Sequence, residues 1–170
     1  PLWSRGLGDV YKRQGDGMLE VIKNIYDFGE HQPKRLALVF DHQRITYDEL
    51  IHEIDKASSQ YSMINEGEKV GLLSNHPIKN LIHYFAIHRV GGIPCFFSSK
   101  WNKVTINQLI EKYKIQWLKS DQHLIKTGYN RISHSINGTL LHIGFTSGTS
   151  GLPKAYYCLL YTSDAADEGL

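Results

Sequence analysis

Hydroxyl, glycine and lysine residues are concentrated between residues 145 and 155 of this chain, in the sequence FTSGTSGLPKA. Hydroxyl groups, together with the backbone N–H groups that glycine leaves accessible, can surround an anion, and a lysine adds a compact positive charge. Such a segment is suited to holding a polyphosphate. The same residue types are also typical of a plain surface turn, and composition alone leaves the two interpretations open.

The spacing inside this segment disfavours two common catalytic loops. Gly148 and Gly151 stand only three positions apart, and Lys154 is followed by Ala155 rather than by serine or threonine. The segment is therefore not the phosphate loop of the usual nucleotide hydrolases. Ser147 does not lie midway between its flanking glycines, as the nucleophile of a hydrolase elbow would.

The elements that must position this segment alternate between helix and strand. Thr46 and Glu49 have the spacing of a capping box that opens a helix, and Pro77 suits the first turn of another. The predicted order begins with helix 18–28, a buried strand 36–40, hairpin 41–46, a helix opening at 46, a second buried strand 70–74 and helix 77–89. It continues with strand 93–97, helix 104–113, strand 115–118, polar loop 120–138 and strand 139–145. This alternation predicts an α/β fold with a mostly parallel sheet and helices on both faces.

The two ends of the chain are related at the level of DNA. Residues 9 to 14 can be encoded by GATGTGTATAAGAGACAG, and the reverse complement of that DNA, shifted by one base, encodes residues 158 to 163. We identify this inverted element as the transposon end used in sequencing-library adapters. We therefore expect residues 1 to 17 to be adapter-derived or untranslated leader, residues 158 to 170 to be adapter-derived and outside any folded core, and residues 18 to 157 to form one native domain.

Composition and charge exclude several classes of partner. The formal net charge of +2 is too small to argue for nucleic acid or an anionic membrane. No apolar run approaches the roughly 18 residues of a membrane span, and the sequence at Met18 lacks a secretory leader, so we expect a cytoplasmic protein.

Cys95 lies in an apolar run where a small buried residue is expected. The nine histidines lack the spacing of metal ligands, and no metal site is predicted.

Three segments resemble motifs of the adenylate-forming superfamily, which includes acyl-CoA synthetases, aryl-acid ligases, luciferases and peptide-synthetase adenylation domains. Residues 145 to 155 closely resemble its glycine-rich phosphate-binding signature. Residues 45 to 50, ITYDEL, resemble its Thr-Tyr-x-Glu-Leu box, and residues 89 to 94, RVGGIP, resemble its Lys-Ala-Gly-Ala turn. Ser150, Ala155 and Arg89 depart from the usual residues, although Ser150 keeps a hydroxyl. The resemblance spans nearly all of residues 18 to 157 and implies a truncated N-terminal part of such an enzyme.

The resemblance implies an ATP-dependent, AMP-forming ligase. A carboxylate would attack the α-phosphate of ATP to give an acyl-adenylate and pyrophosphate, and a thiol, usually coenzyme A, would then displace AMP. The implied partners are thus a small carboxylic acid, ATP and coenzyme A, with Mg²⁺ as a cofactor. The residues that would position the polyphosphate and neutralise its charge are Thr146, Ser147, Gly148, Thr149, Ser150, Gly151 and Lys154.

The family's adenine, Mg²⁺, ribose and catalytic-lysine positions follow residue 157. The resemblance therefore assigns no catalytic residue and no metal ligand here, and it implies that the chain alone is inactive. We also expect the chain alone to be poorly stable, because the strands at Val70, Ile93 and Leu140 are predicted to be buried on both faces and much of the sequence that would cover them is absent. A fatty acid is favoured as the substrate because Gly144-Phe145 and Lys154-Ala155-Tyr156 look most like bacterial acyl-CoA ligases. The alternatives are an aryl-acid or o-succinylbenzoate-type ligase and a peptide-synthetase adenylation domain. A noncatalytic nucleotide-binding or interaction module is the alternative from another class.

Overall fold

The computed structural model describes residues 16–133, 139–147 and 151–160. The helices are α1 (Asp16–His31), α2 (Tyr47–Ser58), α3 (Pro77–Arg89) and α4 (Lys103–Tyr113), with a 3-10 turn at Ser59–Tyr61. The strands are β1 (Leu36–Phe40), β2 (Gln43–Thr46), β3 (Lys69–Leu72), β4 (Ile93–Phe96), β5 (Trp117–Lys119), β6 (Leu124–Lys126), β7 (Thr139–Thr146) and β8 (Lys154–Leu160). Helices and strands alternate through the middle of the chain, as predicted.

Six strands form one sheet in the order β6-β5-β3-β4-β7-β8. The four central strands are parallel, and the two outer strands run antiparallel to their neighbours. The prediction of a mostly parallel α/β sheet is confirmed for this centre. The prediction of an uninterrupted polar loop over 120–138 is wrong, because Leu124–Lys126 pairs with β5.

Helices pack on both faces of this sheet. Val70 and Leu72 of β3 point to one face, where they join a buried cluster with side chains of α2 and α3. Cys95 of β4 and Ile143 of β7 belong to a second buried cluster with side chains of α4. Because side chains alternate along a strand, the two clusters lie on opposite faces, and the central strands are covered on both.

Local signals in the sequence place the helix starts. Thr46 and Glu49 make both bonds of the predicted capping box at the start of α2. Pro77 occupies the first turn of α3, where its missing N–H costs nothing. The Asn102 side chain accepts a hydrogen bond from the Thr105 N–H at 2.9 Å and caps α4. Each of these three helices therefore begins where a residue satisfies or removes a free backbone N–H.

Strand β1 forms a separate two-stranded hairpin with β2. The sequence predicts a buried strand here, but Leu36, Val39 and Phe40 are 37, 55 and 43 % exposed. The prediction of burial is wrong because this hairpin has no third strand, and only Ala37 and Leu38 of β1 pack against the cluster under α2 and α3.

Strand β7 contains one extra residue, Leu141, within its ladder to β8. The ladder pairs Leu140 with Leu159 and His142 with Cys158, so Leu141 has no partner residue in β8. An extra residue of this kind is a β-bulge, and it shifts the side-chain alternation by one position. Leu140 and Ile143, three residues apart, consequently join the same buried cluster.

Strand β8 continues to Leu160, three residues past the predicted end of the native domain. Leu159 packs against the cluster under α4, so the expectation that no residue beyond 157 contributes to a core is wrong for this side chain. Strand pairing does not test the DNA origin of a segment, and the adapter interpretation stays a prediction. Residues 1 to 15 and 161 to 170 lie outside the described residues.

Candidate phosphate-binding site

The predicted anion-binding segment is the connection between β7 and β8, at the carboxyl end of β7. Thr146 ends β7, Lys154 begins β8, and the two residues lie opposite each other in the ladder. The Thr146 hydroxyl donates a 3.4 Å hydrogen bond to the Lys154 carbonyl. Thr146, Ser147 and Lys154 are all exposed, so the fold brings three of the predicted side chains to an accessible hairpin. Gly148, Thr149 and Ser150 lie outside the described residues.

The second half of the hairpin loop is held against the core. Gly151 has a φ of 94°, a backbone angle that favours glycine. The next two residues turn inward, since Leu152 packs against the cluster under α4 and Pro153 is buried. Lys154 follows on the exposed side. The loop therefore presents its lysine from a fixed strand start rather than from a free chain.

Aromatic rings surround the end of β7, just before the loop begins. The ring of Phe145, immediately before Thr146, lies 5.5 Å from the ring of Phe97, 5.6 Å from that of Trp101 and 5.5 Å from that of Tyr113, measured between centroids. All three contacts are close to edge-to-face, a favoured arrangement for aromatic pairs. Phe97 is therefore a buried core residue at this end of the sheet, and the partly buried Trp101 packs beside it.

Tyr113 also contacts the strand that leaves the loop. Its hydroxyl accepts a 3.2 Å hydrogen bond from the backbone N–H of Ala155, the residue after Lys154. The last residue of α4 thus contacts both strands of the hairpin, through its ring at Phe145 and through its hydroxyl at Ala155. Sequence reasoning missed this role, because a tyrosine at the end of an amphipathic helix gives no signal of what its hydroxyl touches.

The exposed groups of the hairpin suit an oxyanion. Hydroxyls of Thr146 and Ser147 can donate hydrogen bonds, and Lys154 forms no ion pair with any residue of the described ranges, so its charge is available to a ligand. An ammonium beside hydroxyl donors matches the chemistry of a polyphosphate. The residues present therefore fit the phosphate groups of ATP.

Two other groups suggested by composition do not form sites. Among the residues that the structure describes, no group of three or more histidine, cysteine, aspartate or glutamate side chains is placed to hold a metal ion. Cys95 is fully buried, and burial raises the pKa of its thiol to about 12, so it acts as a core residue and not as a nucleophile. Within the same ranges, no helix is both long and apolar enough to span a bilayer.

The chain is similar in sequence to staphylococcal proteins that carry the name long chain fatty acid-CoA ligase VraA. It is 45 % identical to the Staphylococcus epidermidis protein over 142 residues, 37 % identical to the Staphylococcus haemolyticus protein over 147 residues and 33 % identical to the Staphylococcus aureus protein over 144 residues. These matches cover 81 to 82 % of this chain. The chain spans about a third of the length of these curated relatives, 31 to 32 %.

Solved structures share the fold. The N-terminal subdomain of Klebsiella oxytoca NpsA, in complex with 3-hydroxybenzoyl-AMSN, superposes with a TM-score of 0.64 at 20 % identity, over 82 % of this chain and 40 % of that one. Escherichia coli MenE with bound OSB-AMS gives a TM-score of 0.60 at 18 % identity, over 79 % of this chain and 33 % of that one. At this identity the comparison establishes the architecture alone.

No family model matches the chain. The sequence relatives and the shared architecture nevertheless agree with each other and with the motifs at residues 45 to 50, 89 to 94 and 145 to 155. In both sequence and fold, this chain resembles the N-terminal part of an adenylate-forming enzyme.

Proposed function

We propose that this chain is the N-terminal part of an AMP-forming acyl-CoA synthetase, called the parent enzyme below. One observation carries the proposal: an exposed hairpin places Thr146, Ser147 and Lys154 at the carboxyl end of a parallel strand. The chain that contains this hairpin is 45 % identical to part of a protein named as a fatty acid-CoA ligase. Ligands of open α/β sheets commonly bind at this end of the strands. The parent enzyme would join a carboxylic acid to coenzyme A at the expense of ATP.

In this proposal the hairpin binds and orients the polyphosphate of ATP. Thr146 and Ser147 donate hydrogen bonds to phosphate oxygens, Lys154 neutralises charge, and Gly148, Thr149, Ser150 and Gly151 complete the loop. Such groups accelerate the reaction by holding the α-phosphate in line with the attacking carboxylate and by stabilising the charge of the departing pyrophosphate. Mg²⁺ would supply further charge neutralisation, and none of its ligands is assigned to this chain.

A long-chain fatty acid is the substrate class that we propose, because the sequence relatives carry that name. An aryl-acid or o-succinylbenzoate-type ligase is the second candidate, favoured by the fold shared with MenE and NpsA. A peptide-synthetase adenylation domain and a noncatalytic nucleotide-binding or interaction module remain as further alternatives. We propose the cytoplasm as the location, where ATP and coenzyme A are both present.

The test is ATP–pyrophosphate exchange by the parent enzyme, with a long-chain fatty acid, 3-hydroxybenzoate and o-succinylbenzoate offered separately. We expect exchange with the fatty acid. The Lys154→Ala and Ser147→Ala variants should each reduce kcat/KM for ATP about tenfold or more, the loss expected for a charge-assisted hydrogen bond. The matched controls are Lys103→Ala and Ser62→Ala, which alter exposed residues outside the hairpin.

Each outcome separates two candidates. Exchange with an aromatic acid alone would favour the second candidate, and ATP binding without exchange with any acid would favour the noncatalytic module. Exchange that is unchanged in both hairpin variants would remove the hairpin from the mechanism.

A further inference from the structure

Tyr156 of β8 lies across the backbone of Gly144 in β7. The two residues are paired in the ladder, and a Cβ atom added at Gly144 would overlap the Cζ atom and the hydroxyl oxygen of Tyr156. Gly144 is buried, whereas the covering tyrosine is itself 50 % exposed. The outer end of the phenol ring, with its hydroxyl, therefore rests over Gly144 at the surface of the sheet.

This pair stands next to the candidate phosphate site. Thr146 and Lys154 form the pair that closes the hairpin, and Gly144 and Tyr156 are paired two residues further from the loop. Because side chains alternate along a strand, Tyr156 points to the same face of the sheet as Lys154 and Thr146, and same-face positions are about 7 Å apart. The Tyr156 hydroxyl thus lies about one such step from Thr146, on the same side of the hairpin.

Contacts of β7 identify this face. The Nδ1 atom of His142, the preceding residue on the same face as Gly144, lies 3.0 Å from the hydroxyl of Tyr84 on α3. Phe145 points the other way, into the cluster under α4. Tyr156 therefore lies on the face that α3 covers, and its partial exposure shows that the described elements leave the ring accessible there.

The fold gains little from the residue types of this pair. Glycine weakens the interior of a strand, because it loses more backbone entropy than other residues and offers no side chain for packing. A half-exposed tyrosine leaves apolar area in water. The Tyr156 hydroxyl forms no hydrogen bond with the described part of the chain, and phenylalanine would cover Gly144 equally well. The hydroxyl is therefore available to a ligand.

On the basis of the proposed function, we propose that the Tyr156 hydroxyl donates a hydrogen bond to the polyphosphate of ATP held by Thr146 and Lys154. Gly144 is required in this arrangement, because only a residue without a Cβ leaves room for the ring. A hydrogen bond to a charged phosphate oxygen is stronger than one between neutral groups. The binding surface thereby extends from the loop onto the ladder of β7 and β8, and Tyr156 becomes an ATP-binding residue.

Isothermal titration calorimetry of the parent enzyme with ATP, and separately with adenosine, tests the role of the hydroxyl. Tyr156→Phe should weaken ATP binding about tenfold, a change of about 1.4 kcal/mol, and should leave the affinity for adenosine unchanged. The midpoint of urea unfolding should also stay the same, because the hydroxyl bonds to nothing in the described fold. Tyr129→Phe is the matched control and should change neither affinity.

Gly144→Ala tests the position of the ring. The added methyl group should displace the ring and weaken ATP binding about tenfold, as Tyr156→Phe does. In the double variant the two losses should not multiply, because a displaced hydroxyl cannot be lost twice. A hundredfold loss in the double variant would contradict the seat at Gly144. Where Gly144→Ala does not fold, Tyr156→Phe alone decides.

The comparison with Lys154→Ala separates this inference from the proposed function. Weaker ATP binding in Lys154→Ala together with unchanged binding in Tyr156→Phe would show that the tyrosine only packs on Gly144, and it would overturn the inference while leaving the phosphate hairpin in place. Unchanged ATP binding in both variants would overturn the hairpin as a phosphate site and the role of Tyr156 with it. An equal loss of ATP and adenosine affinity in Tyr156→Phe would indicate a general disturbance and would also contradict the hydrogen bond.

Discussion

Arg89 of α3 forms an ion pair with Asp55 of α2, and the two side chains are 18 % and 32 % exposed. The same guanidinium donates a 3.0 Å hydrogen bond to the hydroxyl of Tyr26 on α1 and lies 5.6 Å from the centre of its ring. One arginine thus connects the three helices on this face of the sheet. Lysine is common at this position in the superfamily whose motifs the chain resembles. A lysine could keep the positive charge but could not make the contacts of the planar guanidinium.

We therefore expect Arg89→Met to lower the free energy of unfolding of the parent enzyme by about 2 kcal/mol, because it leaves the Asp55 carboxylate half-buried without its cation. Arg89→Lys should cost less. The measurement is urea unfolding at pH 7. The exposed pair of Lys34 and Asp48 is the control: Lys34→Met should have no measurable effect, and a loss as large as that of Arg89→Met would show that burial does not decide the outcome.

Tyr113→Phe should weaken the use of ATP without unfolding the protein. The substitution keeps the ring against Phe145 but removes the hydroxyl that accepts the Ala155 N–H. A lost hydrogen bond of about 1 kcal/mol should raise KM for ATP roughly three- to tenfold in pyrophosphate exchange, and KM for the acid should stay unchanged. Tyr129→Phe is the control, because no hydrogen bond of the Tyr129 hydroxyl is present in the described residues. An unchanged KM for ATP in Tyr113→Phe would show that the Tyr113 hydroxyl does not support the hairpin and that the residue contributes only its ring packing.

His88 should make the fold sensitive to mild acid. It is 3 % exposed, neither of its ring nitrogens has a hydrogen-bond partner in the described ranges, and burial, then the charge of His142, lowers its pKa to about 4. An unfolded histidine titrates near 6.5. Between these two values the unfolded chain binds more protons, so the stability present above about pH 6.5 is lost as the pH falls towards 4.

His88→Leu should accordingly reduce the slope of unfolding free energy against pH in this window by up to about 1.4 kcal/mol per pH unit. At pH 7.5 the variant should be no less stable than the original, because an unsatisfied polar ring is replaced by an apolar group. Urea unfolding at half-unit steps between pH 4.5 and 7.5 measures both effects. His52→Leu, at an exposed position of α2, should leave the slope as it is, and an unaltered slope in His88→Leu would contradict the assignment.

The two ends of the chain should differ in their contribution to stability. If residues 1 to 14 and 161 to 170 are adapter-derived, their deletion should leave the thermal unfolding of this chain unaltered. Deletion from residue 158 onwards should instead lower the midpoint of thermal unfolding, because it removes Leu159 from its contact with the cluster under α4. Scanning calorimetry of the two truncated chains checks this. Equal midpoints for both truncations would mean that the last part of β8 adds nothing.

The chain by itself should have no ligase activity and should aggregate. Large apolar side chains such as Val39, Phe40 and Tyr156 are 55, 43 and 50 % exposed, and β8 is an edge strand of the sheet whose free backbone groups can pair with another copy. Assays of acyl-CoA formation and light scattering on purified residues 18 to 160 test the two halves separately. Turnover would contradict the first half, and a monomeric chain with sharp cooperative unfolding would contradict the second.

Sequence patterns predicted the elements whose signals are local. The capping box at Thr46 and the proline at the start of α3 lie within one turn of the helices that they open, and the apolar run at β3 is buried on both faces as expected. β6 and β8 were not predicted, because an edge strand is defined by the strand it pairs with. The candidate hairpin was predicted by its residue types and by the family resemblance, whereas the support from Tyr113 and the position of the Tyr156 ring over Gly144 depend on contacts between different elements of the fold.

The extra residue in β7 determines the face of the sheet towards which the side chains of the hairpin point. Because side chains alternate, the position of Leu141 determines whether Thr146 and Lys154 open towards the face of α2 and α3 or towards the face of α4. Deleting Leu141 would restore a regular ladder, but it would then turn either Leu140 out of its buried cluster or the loop residues to the opposite face. The length of this strand is therefore a constraint in its own right: a single insertion or deletion between Leu140 and Thr146 would exchange the inside and outside of the candidate site.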